Sequence, residues 1–115
     1  MANSTNSDLQ SLQDTLVSTV ASLNTALGAA PDANTAEAII REMGEVNHRV
    51  NTVGSLLFTQ ESDKIATSVQ AVTKATQSLQ NSIKQISSIT DFLNTITSFL
   101  TLVDKAIDTA KLVAA

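Results

Sequence analysis

Glu45 and His48 stand three residues apart, and on a helix that spacing puts a carboxylate and an imidazole one turn from each other. Glu-x-x-His pairs supply ligands to di-iron carboxylate bundles, where two such pairs and two further Glu complete the centre. This chain has 1 His, so only a symmetric oligomer would complete such a site. Helical phase opposes it as well. Relative to the apolar stripe of the same segment, His48 lies about 180° away and Glu45 about 120° away, so both point outward. The expected role is a solvated polar face on which Arg41, Glu45, His48 and Arg49 form surface ion pairs.

Nucleophilic catalysis meets the same shortage. A Ser or Thr nucleophile needs a base beside it, and the one imidazole belongs to the outward-facing His48. With Cys 0, disulfides, thiolate catalysis and Cys-based zinc sites are all excluded, while the redox compartment stays open. No catalytic residue, metal ligand set or cofactor is expected.

Charge narrows the partners. The net charge is -4, and the first forty residues hold Asp8, Asp14, Asp32 and Glu37 without a Lys or Arg. Lys64, Lys74 and Lys84 are spaced singly among Ser, Thr and Gln. Binding to a phosphate backbone needs clustered cations, so nucleic acid is not an expected partner. The opening MANSTNS has neither a basic nor an apolar region, so no signal peptide is visible, and the compartment is undetermined. The most apolar window, Phe92 to Val103, is too short and too rich in Asn, Ser and Thr for a transmembrane span, which needs about 20 apolar residues.

What remains is packing. Apolar residues recur every three or four positions from Leu9 to Ile107, the spacing of one helix face. The first stripe is Leu9, Leu12, Leu16, Val20, Leu23 and Leu27, opened by Ser7 with Gln10 at capping-box spacing and stopped at Gly28. After the GAAPDAN loop, Asn34 with Glu37 marks a second start, and Ala36, Ile39, Met43, Val46, Val50, Val53 and Leu57 follow. Beyond Gly54 there is no Gly or Pro, yet the stripe Ile65, Val69, Val72, Leu79, Ile83 is rotated by roughly 75° from the second. The stripe Ile89, Leu93, Ile96, Leu100, Val103, Ile107 is rotated by roughly another 110°. One straight rod cannot aim all three at one core. Boundaries are therefore expected at Thr59 to Ser62 and Ser87 to Thr90, where Glu61, Asp63 and Asp91 open new first turns.

The length of 115 residues suits one domain. The expected fold is all-α, an antiparallel up-down-up-down four-helix bundle with helices near 7–27, 35–58, 62–87 and 90–113. The alternative is an elongated helical hairpin or coiled coil with merged helices. Ser, Thr, Asn and Gln fill more than a third of the chain and give a hydrophilic but lightly charged surface. Gly44 and Gly54, inside the second helix, are expected to be tolerated by tertiary packing, with Gly54 near enough to the stripe to admit a close neighbour.

The last helix carries a second apolar row beside its main stripe: Phe92, Phe99, Leu102, Ala106, Ala110 and Val113, centred roughly 90° away. Such a row either makes this helix the most buried member or marks a surface that buries on binding. The functional expectation is a non-enzymatic interaction module with helix 90–113 as the contact surface. Its partner-binding residues would be Phe92, Phe99, Leu102, Ala106 and Val113, and its partner another protein or a copy of the same chain. A membrane-active or lipid-binding bundle is the alternative, although Lys105 and Lys111 are offset by Asp91, Asp104 and Asp108. A metal-binding bundle comes third.

Overall fold

A short polar side chain starts each helix by accepting from the free backbone N–H groups of its first turn. In the computed structural model, which describes residues 5–86 and 88–115, these caps are Asn6, Asp32, Ser62 and Ser88. They open α1 (Ser7–Gly28), α2 (Ala33–Gly54), α3 (Asp63–Lys84) and α4 (Ile89–Ala114). The first four residues, part of the stretch searched for a signal peptide, and Ser87, the expected end of the third helix, lie outside the described residues.

Two of the expected caps are displaced. Ser7 is already helical, and its N–H donates to the Glu61 carboxylate at 2.8 Å, while Asn6 accepts from Asp8 and Leu9. Asn34 likewise sits inside α2, because Asp32 takes the Thr35 N–H at 2.8 Å. Both true caps lie one or two residues earlier than the apolar periodicity indicates. At its other end α2 stops at Gly54 rather than near 58, and Leu56 and Thr59 close tighter turns through bonds to Val53 and Leu56. Leu57 continues the stripe in contact with the core although it is no longer helical.

The helices alternate in direction, as an up-down-up-down bundle requires. Gln13 reaches the Val50 carbonyl between antiparallel α1 and α2, and Ser68 meets Thr109 between antiparallel α3 and α4. Across the two hairpins the neighbours run parallel: Ser22 bonds Gln80 between α1 and α3, and Arg49 bonds Asp104 between α2 and α4. Around the bundle the order is α1, α2, α4, α3, so residues 55–62 cross the diagonal at one end.

Asn6 fastens that crossing. It is buried, its amide Nδ2 donates to the carbonyls of Thr59 and Gln60 at 3.1 and 3.2 Å, and its backbone N–H donates to Leu57. One side chain thus caps α1 and pairs two carbonyls of the link.

All four stripes feed one core. The third is buried as the sequence predicts, from Ile65 to Ile83. In α2 the buried face is turned toward Thr35, Ala38 and Glu42, leaving Ala36 and Met43 half-buried.

Candidate functional site

The second apolar row of α4 lies mostly inside the bundle. Phe92 and Phe99 are 1% exposed, Ala106 and Ala110 are fully buried, and Leu102 and Val113 are half-buried at the margin. Of the main stripe, Ile89 and Leu93 are the half-buried members. The core face of α4 therefore lies between its two rows, centred on Phe92, Ile96, Phe99 and Val103. Of the five residues expected to bind a partner, Phe92, Phe99 and Ala106 are enclosed in the closed bundle. Leu102 and Val113 alone have access to its surface.

Glu45 and His48 do project from α2. Glu45 accepts from Arg49 Nη1 at 3.1 Å, an i,i+4 pair, while His48 is exposed. Among the described residues no three His, Cys, Asp or Glu side chains converge as a metal would require. Several threonine hydroxyls are spent locally. Thr19, Thr25, Thr73, Thr76, Thr95 and Thr101 each donate to the carbonyl four residues back, so these oxygens serve their own helices.

Arg49 departs from the solvated role expected of it. Its side chain is only 14% exposed, and its fork spans the gap to α4, with Nε on Asp104 Oδ1 at 2.7 Å and Nη2 on Oδ2 at 3.0 Å. The two-point contact holds the guanidinium charged and lifts its pKa further. Glu42, one helical turn from Glu45, is buried on the core side of the same face, and desolvation followed by repulsion from Glu45 raises its pKa. Single-helix periodicity could not find either role, since both depend on which side of α2 receives α4.

Two exposed apolar side chains lie on elements at the end of the bundle where the chain crosses over. Leu112, 78% exposed, and Phe58, 67% exposed, are the two most exposed large hydrophobics. An open groove of about 520 Å³ runs between α3 and α4, with Lys64, Thr67, Ser68, Thr109, Leu112 and Val113 on its walls. Val17 and Ile40, the other exposed large hydrophobics, sit on the outer sides of α1 and α2.

No known protein family, curated protein or solved structure matches the chain.

Proposed function

We propose that this chain is a non-enzymatic interaction module that associates with a second copy of itself through the crossover end of the bundle. The observation that carries this reading is the exposure of Leu112 on the wall of the groove at the C-terminus of α4, with Phe58 exposed on the crossing link. Large apolar side chains clustered on a surface mark contact sites more reliably than scattered ones. A two-fold interface must be self-complementary, because the same patch faces itself. This end offers exposed Phe58 and a groove, walled in part by Leu112 and Val113, that an apolar side chain of a second copy can enter. It also carries both signs of charge, Lys64 and Lys111 against Asp63 and Asp108, so two copies can pair oppositely charged groups.

The contact residues under this reading are Leu112, Val113 and Phe58, with Phe92, Phe99 and Ala106 supporting α4 from within. Leu112→Asp is the direct test. It should lower the molar mass measured by light scattering to that of one chain while leaving helicity by circular dichroism unchanged. Val17→Asp, on the outer side of α1, should leave the mass as it is. Equal masses for wild type and Leu112→Asp would remove the reading.

A membrane-active role draws on a different observation, the enclosure of Phe92 and Phe99 in the core. Insertion through that row requires the bundle to open, since both rings are enclosed; among the described residues no helix is long and apolar enough to cross a membrane. Leakage of a dye from anionic vesicles on adding the protein would support it, and inert vesicles would set it aside.

A further inference from the structure

The geometry points to the α2–α4 seam as the line along which the bundle opens, with Arg49 and Asp104 as its latch. Four independent features converge there. Of the four interfaces between neighbouring helices, α2 with α4 is the least extensive. No short loop joins α2 to α4, nor α1 to α3, whereas α1 turns into α2, and α3 into α4, over four residues each, so the two hairpins can part along either seam and α2–α4 is the less extensive of the two. Open polar clefts of about 300 and 330 Å³ flank the ion pair, one beside His48 and Asp108 and the other beside Glu42 and Thr97, so water reaches the seam from both sides of the latch. Finally, Arg49 with Asp104 is the one ion pair joining two helices among the described residues.

Separating α2 from α4 leaves both antiparallel hairpins whole and uses the α1–α3 interface as the hinge. The crossing link stays fastened to Asn6 at the end of that hinge. Opening would bring water to the inner faces of α2 and α4, including Val46, Val53 and the Phe92–Phe99 row. The device concerns the single chain and is independent of self-association at the crossover end.

Sub-global opening is read by amide hydrogen exchange, residue segment by residue segment. The full-length chain is compared with Asp104→Asn, and with Arg49→Asp combined with Asp104→Arg, at a concentration where light scattering gives one chain. In wild type the amides of α2 and α4 should exchange faster than those of α1 and α3. Asp104→Asn should speed α2 and α4 a further threefold to tenfold, roughly the effect of losing one charge-assisted contact that is partly open to water, while α1 and α3 hold their rates. The charge swap should restore much of the protection. Equal protection of all four helices in wild type, or equal acceleration of all four in Asp104→Asn, would overturn the proposal. Either result would leave self-association untouched, since that is read from mass.

Discussion

Arg49 on α2 grips Asp104 on α4 through Nε and Nη2 of its guanidinium, at 2.7 and 3.0 Å, across a seam that otherwise holds few contacts. Asp104 is half exposed, so water weakens the pair relative to a buried one. A double-mutant cycle with Arg49→Met and Asp104→Asn, read by urea unfolding, should give a coupling energy of about 0.5–1 kcal/mol. Arg49→Met alone should also disturb Glu45, its second partner, so the single change should exceed the coupling.

The enclosure of Phe99 and the exposure of Leu112 predict opposite responses on the same helix. Phe99→Ala should destabilise the fold by about 3–5 kcal/mol, as expected for a large side chain removed from a packed core. Leu112→Ala should stay within about 0.5 kcal/mol of wild type. Thermal or urea unfolding of both variants checks the contrast, and similar values would place α4 wrongly about its axis.

Asn6 performs two tasks that different substitutions separate. Asn6→Asp keeps an oxygen for the Asp8 and Leu9 N–H groups but loses the donor to Thr59 and Gln60, and faces their carbonyls with a charge. Asn6→Ala loses both the cap, worth about 1 kcal/mol, and the link to the crossing segment. Asn6→Ala should destabilise by about 2–3 kcal/mol in all, from the cap plus the two lost bonds to the crossing link. Asn6→Asp should also destabilise, with faster exchange confined to residues 55–62.

Gly44 has nothing within 4 Å of where a Cβ would stand. Gly44→Ala should therefore stabilise α2 by about 0.5–1 kcal/mol, the difference in helix propensity. At Gly54 the new Cβ would meet the Gln13 amide at 3.1 Å, so Gly54→Ala should gain less. Unfolding midpoints of the two variants give the comparison.

Glu42 supplies a pH dependence whose sign is fixed by its burial. Its pKa is raised above 4.5 in the fold, so the folded chain holds a proton there that the unfolded chain releases. Stability from this group is present in acid and is lost as pH rises from about 4.5 through the folded pKa. Glu45, Arg41 and Arg49 face it from α2, and Asp104 faces the same cleft from α4. Glu42→Gln should raise the unfolding temperature at pH 7, and the gain should shrink toward zero at pH 4.

The architecture was legible because its cause is local. Stripes such as Ile65 to Ile83 report which face of a helix is apolar, and a change of phase reports where one helix must give way to another. The helix starts at Asn6 and Asp32 were less legible, since several Ser, Asn and Asp residues in each loop offer the same oxygen and the backbone chooses among them. What periodicity could not supply is the order of helices around the bundle. That order turns the α4 row of Phe92 and Phe99 inward, places Arg49 against Asp104 and leaves Leu112 outside. Of the α4 row expected to bind a partner, the accessible members are therefore Leu102 and Val113 rather than the Phe pair.

Sedimentation equilibrium of the wild-type chain over a hundredfold range of concentration tests the central claim most directly. The account predicts a mass that rises with concentration from 12.1 kDa toward twice that value and fits one reversible monomer–dimer equilibrium. A mass that stays at 12.1 kDa throughout would contradict it.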